Sequence, residues 1–198
     1  PRKFHVENLP DSRYILIPCH SSERRNYIPI GYLEPNCIAS NATLILPNAS
    51  LYHFGVLTSR VHMAWMRTVA GRLEMRYRYS KDVVYNNFPW PTPSETQRKK
   101  IEETAQAILD ARSSHPESSL ADLYDPLSMP EDLRDAHKEN DKAVMKAYGF
   151  KSSMTEPEIV AELFKLYEAR IKELEQEEEK KKEEKAKAAS KKRSVKTK

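Results

Sequence analysis

Glu74 and Arg76 stand two apart in "LEMRYRYSKDVVYNNFPWPTP", residues 73–93. On an extended strand, residues two apart project from one face. An arginine can bond guanine O6 and N7 together, and a glutamate can accept from cytosine N4. Side by side, the two have the chemistry to read both halves of one C·G pair. They could equally form an ordinary exposed ion pair, worth under about 1 kcal/mol. Spacing alone leaves both readings open.

The charge around the pair extends the question. Residues 1–93 carry eleven Lys/Arg against six Asp/Glu, and six of the basic residues fall within 60–81: Arg60, Arg67, Arg72, Arg76, Arg78 and Lys81. Arg60 and Arg67, seven apart on a helix, share a face; Arg76 and Arg78 share a strand face. Arginines on a helix and strand with tyrosines between them resemble a surface for phosphates and bases. The ordinary alternative is a set of surface arginines paired to local acids. Arg60, Arg67, Arg72, Arg78 and Lys81 are the candidate DNA-backbone contacts, and Glu74 and Arg76 the candidate base readers. Tyr85 and Asn86 are secondary candidates.

Other chemistry is missing from the sequence. Four glycines, Gly31, Gly55, Gly71 and Gly149, cannot form GxGxxG or a P-loop. There is no HExxH, GxSxG or paired-cysteine pattern, and the six scattered histidines read as structural. No catalytic residue, metal site or cofactor site is expected within these 198 residues. Cys19 and Cys37, eighteen apart, read as buried free thiols. Without a long apolar run or a signal-peptide pattern, the expectation is a soluble, cytoplasmic protein. Opening on Pro1, the chain is expected to be a piece of a longer polypeptide.

These residues must be positioned by an α+β fold: a mixed-strand domain, a small helical bundle and a charged helical tail. The expected domains are 1–93, 94–172 and 173–198. "RYILIPCH" (13–20), "NYIPIGYL" (26–33) and "ATLILP" (42–47) are short apolar runs bounded by Pro, Asn and Ser, which suits strands. "TSRVHMAWMRTVAGR" (58–72) reads as the one helix of this region, with Val61, Ala64, Trp65, Thr68 and Val69 on its apolar face and Gly71 ending it. Alternation then predicts a strand through 74–80, with Glu74, Arg76, Arg78 and Ser80 on one face and Met75, Tyr77 and Tyr79 on the other. Pro89, Pro91 and Pro93 cannot continue a ladder and mark a boundary. Tyr77, Tyr79, Phe88 and Trp90 read as core and interdomain packing.

Three capping boxes, Ser94/Gln97, Ser128/Glu131 and Thr155/Glu158, mark helix starts. The middle helix carries Leu133, His137, Asn140, Val144 and Ala147 at helical spacing, and Gly149 stops it. A short turn is expected at 119–125. Beyond Leu174 large apolar residues almost vanish, and Glu–Lys pairing can extend the last helix until it frays.

"HMAWMRTVAGRLEMRYRYSKDVVYNNFPWP" resembles the end of the target recognition domain of MmeI-like (type IIL) DNA methyltransferases. "LYDPLSMPEDLRDAHKENDKAVMKAYGF" is similar to the C-terminal helical segment that follows it in that family. The resemblance covers roughly residues 13–150 and leaves out the tail. It implies a restriction-modification enzyme that moves a methyl group from S-adenosylmethionine to adenine N6. Its partners would be double-stranded DNA and the methyltransferase domain of the same polypeptide, with the cofactor bound outside this chain. In the family, the positions matching Glu74 and Arg76 hold a correlated pair, Glu-x-Arg or Lys-x-Asp, that reads one base pair. The family's Asn-Pro-Pro-aromatic motif is absent here; "NNFPWP" has the wrong order. The resemblance also implies a recognition domain incomplete on its N-terminal side. Two other readings stand beside it. One is a non-catalytic helical protein-interaction module, which would lack salt-sensitive duplex binding. The other, a binder of single-stranded RNA, lacks an RNP-type motif.

Overall fold

The structure, a computed structural model, describes residues 10–195, with side-chain surroundings given through residue 182. In chain order the strands are β1 (Tyr14–Pro18), β2 (His20–Ser21), β3 (Gly31–Leu33), β4 (Thr43–Leu46), β5 (Gly71–Leu73) and β6 (Arg76–Arg78). The helices are α1 (Leu51–Leu57), α2 (Arg60–Val69), α3 (Glu95–Ser113), α4 (Leu120–Leu123), α5 (Glu131–Ala147) and α6 (Glu156–Val195), with a π-helical turn at Lys81–Tyr85. The chain divides after Val160 into two compact units. The fold class is α+β, as the sequence patterns suggest.

Two small antiparallel sheets carry the strands, in the orders β3-β1-β4 and β2-β6-β5. Cys19 is the joint between them. Its N–H donates to Ala42 O at 2.9 Å on the first sheet's side, while its carbonyl accepts the Tyr79 N–H at 2.8 Å on the second's. One residue thus fixes where the hairpin β5–β6 leaves the body of the protein. Cys19 and Cys37 are free but half-buried rather than buried.

The strand expected through 26–33 forms a ladder only from Gly31. Before that, the chain is drawn onto the helices. Tyr27 stacks on His137 with ring centroids 4.0 Å apart, and Ile28 and Ile30 are fully buried. Pro29 has no N–H to give a ladder.

Two helices, not one, precede β5. α1 was hidden because it is only seven residues long and apolar on nearly every side, leaving no 3.6-residue alternation to read. α2 is buried around its whole circumference from Val61 to Met66, so its expected apolar stripe understates it. It ends at Val69 and Gly71 starts β5, so Gly71 is not its stop.

α1 and α3 approach closely at Gly55, where an added Cβ would lie 2.7 Å from Ile101 Cγ2. Asn140 of α5 closes this contact: its Nδ2 donates to Gly55 O at 2.8 Å and its Oδ1 accepts from Thr104 Oγ1 at 3.1 Å. The strand region and the following helices therefore share one core. The capping box at Ser94/Gln97 is present. At Thr155/Glu158, the carboxylate accepts from the Thr155 N–H at 2.7 Å. The box expected at Ser128/Glu131 is absent. α5 starts after Pro130, and the Ser128 hydroxyl donates instead to Asp122 O at 2.7 Å. An unforeseen box, Ser119/Asp122, starts α4.

The proline corner is an aromatic clamp. Tyr52 OH donates to Pro91 O at 3.2 Å and Tyr148 OH to Pro89 O at 2.8 Å. Phe88 lies edge-on to both His62 and Trp90. The prolines supply acceptors while offering no donors. Tyr77, Tyr79 and Phe88 are buried, as expected of core.

Candidate nucleic-acid interface

The hairpin β5–β6 turns through two residues, Glu74 and Met75, with Leu73 paired to Arg76. Glu74 has φ 55° while Met75 is not left-handed, the sign pattern of a II′ turn, where glycine is usual. This corrects the expected strand through 74–80. Glu74 sits in the turn, not on a strand face with Arg76, and Met75 is solvent-exposed rather than packed beside Tyr77. No Asn-Gly or Asp-Gly marked the turn, so the period-2 pattern ran straight through it.

Pairing sorts the hairpin's side chains. Arg76 and Arg78 share a face with Leu73 and, across β2, with His20. Arg72 lies on the opposite face with Tyr77. The tip is open: the side chains of Glu74 and Arg76 are 77% and 51% exposed, and Arg76 Nη2 donates to Glu74 Oε2 at 3.0 Å. The expected pair is thus brought together, as a salt bridge at a projecting tip. Arg78 has no ion pair or hydrogen-bonding partner among the described residues, although its charge reaches Cys19. Burial pushes that thiol upward and Arg78 partly offsets it.

Arg72, expected on the DNA backbone, is tied within the hairpin. Its guanidinium covers the Tyr77 ring, pairs with Glu23 at 3.5 Å and donates from Nη1 to Met75 O at 3.3 Å. Arg60 and Arg67, also expected on the backbone, face the protein. Arg60 Nη2 donates to Met154 O at 2.9 Å. Arg67 bonds Glu156 Oε2 at 2.8 Å and Asn26 O at 2.6 Å, with only 19% of its side chain exposed. Sharing a helix face was read correctly, but that face meets the protein's own backbone carbonyls and an acid. Lys81 is exposed beside Asp82 at 3.7 Å. With Tyr85 and Asn86 it lines a groove of about 140 Å³ against Leu44, Ile45 and Leu46 of β4.

Behind the hairpin, the supports are buried and neutral. His62 Nε2 and Tyr79 OH lie 2.9 Å apart, and burial lowers His62 to about 3 while raising Tyr79. Trp65 Nε1 donates to Val84 O at 3.0 Å, fixing the π turn on α2. The hairpin also sets Leu73 and Met75 next to the expected pair, His20 on the face of Arg78 and Arg72 against Tyr77, and sequence reasoning grouped none of them. Only the hairpin register, invisible without a turn signature, would have grouped them. No cluster of His, Cys, Asp or Glu among the described residues could hold a metal ion. Nor is any described helix long and apolar enough to cross a membrane.

The sequence profile of the MmeI target recognition domain matches residues 1–92, and that of the MmeI C-terminal domain matches residues 93–175. The chain belongs to the MmeI family. It is 40% identical over 168 residues to DNA methyltransferase A of Bacillus subtilis (strain 168), covering 85% of this chain and 19% of that protein. The structure of the type IIL restriction-modification enzyme MmeI in complex with DNA superposes with a TM-score of 0.81 at 53% identity, covering 84% of this chain and 22% of that one. The chain thus spans about a fifth of the length of either relative.

Proposed function

We propose that this chain is the DNA-reading end of a site-specific, S-adenosylmethionine-dependent DNA adenine-N6 methyltransferase of the restriction-modification type, working in the cytoplasm. The methyl-transfer chemistry and its cofactor belong to the rest of the polypeptide, whose methyltransferase domain the C-terminal helices would brace. The hairpin β5–β6 enters the major groove of duplex DNA. There Arg76 bonds guanine and Glu74 accepts from cytosine of one C·G pair, while Arg78 and Lys81 hold phosphates.

One observation carries this reading: a Glu–Arg pair at the exposed tip of a hairpin whose base is locked to the core, within a target recognition domain. The pair's mutual salt bridge is no obstacle. An exposed ion pair contributes under about 1 kcal/mol, so giving it up costs little, and a bidentate contact discriminates against the wrong base by about 1–3 kcal/mol. Arg60 and Arg67, bound to Met154, Asn26 and Glu156, would reach phosphates only by giving up those partners.

The test is the double substitution Glu74→Lys with Arg76→Asp in the full-length enzyme, with methylated sites mapped by sequencing. The methylated motif is expected to invert one C·G pair; an unchanged motif would show that other residues read that pair.

A further inference from the structure

The hairpin tip carries two large apolar side chains that the protein leaves uncovered. Leu73 is 44% exposed and Met75 66%, one on either side of the Glu74 left-handed turn. Single exposed apolar residues are common on surfaces. These two differ because the structure holds the tip in place. Arg72 donates to the Met75 carbonyl at 3.3 Å and is itself fixed by the Tyr77 ring and Glu23. The turn is therefore braced from one face of the hairpin, while Met75 is presented to solvent beside the two charges.

We propose that Met75 is a further specificity-determining residue, reading the C5-methyl group of a pyrimidine next to the base pair read by Glu74 and Arg76. Major-groove edges present one apolar feature, the methyl of thymine, and apolar side chains recognise it by contact. Met75 lies between Glu74 and Arg76 in sequence, so a hairpin that brings those two to base edges brings Met75 to the same depth. Methionine's unbranched, polarisable side chain adapts to a shallow methyl surface. Leu73, opposite Arg76 in register, flanks the same edge. This inference rests on the hairpin entering the major groove as proposed above.

The experiment measures equilibrium binding of the full-length enzyme to duplexes of its own site. Within two base pairs of the pair read by Glu74 and Arg76, each thymine is replaced in turn by uracil and each cytosine by 5-methylcytosine. Both exchanges change one methyl and no hydrogen-bonding group. One position is expected to shift affinity about fourfold in the wild type, the effect of one buried methyl. That shift disappears in Met75→Ala and is kept in Met75→Leu. If Met75→Ala shows the same response as wild type at every position, or loses affinity equally for all duplexes, the proposal is overturned. The Glu74→Lys, Arg76→Asp enzyme reports separately on the underlying reading. A motif that inverts while the methyl exchanges stay silent removes only the role of Met75.

Discussion

The guanidinium of Arg72 lies 3.9 Å from the centroid of the Tyr77 ring, on the face of the hairpin opposite Arg76 and Arg78. A basic residue in a basic stretch is thus engaged by the hairpin's own ring and carbonyl and by Glu23. In the full-length enzyme, Arg72→Ala should weaken discrimination between cognate and inverted C·G duplexes. It should leave the slope of log affinity against log salt unchanged, because no phosphate contact is lost. Arg72→Lys should not restore discrimination, since an ammonium lacks the planar fork that stacks and donates together. A salt slope reduced by about 1 in Arg72→Ala would instead place this residue on a phosphate.

Arg67 and Arg78 should separate in the same assays. Arg67 is bonded to Glu156 and Asn26 with little exposure. Arg67→Ala should lower stability by about 1–2 kcal/mol, the net worth of its charge-assisted hydrogen bonds to Glu156 and the Asn26 carbonyl, with an unaltered salt slope. Arg78→Ala should leave the melting temperature in place and reduce that slope by about 1. Thermal melts and salt titrations on both variants decide it.

Gly55 marks the tightest helix contact. Gly55→Ala would place a methyl 2.7 Å from Ile101 Cγ2 and 3.1 Å from Asn140 Oδ1. Overpacking of this kind costs about 1–3 kcal/mol. Asn140→Ala should cost a similar amount by removing its bonds to the Gly55 carbonyl and Thr104, leaving that carbonyl the longer Thr58 Oγ1 bond at 3.4 Å. Because they share one contact, the double variant should lose less than the sum of the singles, which a double-mutant cycle in denaturant would read.

Stability should fall in acid, with a slope set mainly by three buried groups. Desolvation lowers His62 and His137 to about 3, whereas unfolded histidine titrates near 6.5. Unfolding below that pH therefore takes up two protons, so the stability they contribute is full above about 6.5 and drains away toward 3. Burial raises Asp141 to about 6, although the Arg60 N–H and Tyr27 OH bonded to it pull it downward. An unfolded aspartate titrates near 3.9, so Asp141 acts oppositely and adds stability as pH falls from about 6 toward 4. Two protons outweigh one, and half-buried His53, which burial also lowers, acts in the same sense, so stability falls with pH across that window. Asp141→Asn removes the opposing proton and should steepen the slope, as denaturant titrations at pH 4.5 and 6 would show.

Much of this architecture is legible in the sequence, and the exceptions have physical causes. The helix starts at Ser94 and Thr155 and the strands around Tyr14 and Thr43 are local patterns, and they read correctly. α1 failed because burial on every side erases periodicity. Tyr27 and Ile28 read as strand because apolar content does not reveal that the partner is a helix. At the interface, residue types identified the Glu74–Arg76 pair, but not its turn: a left-handed glutamate gives no signal where glycine is expected. Charge counting likewise could not separate Arg78, which faces solvent, from Arg67, which faces Asn26 and Glu156. That distinction depends on residues 41 and 89 positions away in sequence.

The central claim, that Glu74 and Arg76 read a single C·G pair, is tested most directly by equilibrium binding of the full-length enzyme to two duplexes. These differ only by inversion of that pair. Wild type should favour one orientation by at least tenfold, within the range of about 1–3 kcal/mol per bidentate contact, and Glu74→Lys with Arg76→Asp should favour the other. Equal preference for the same orientation by both enzymes would contradict it.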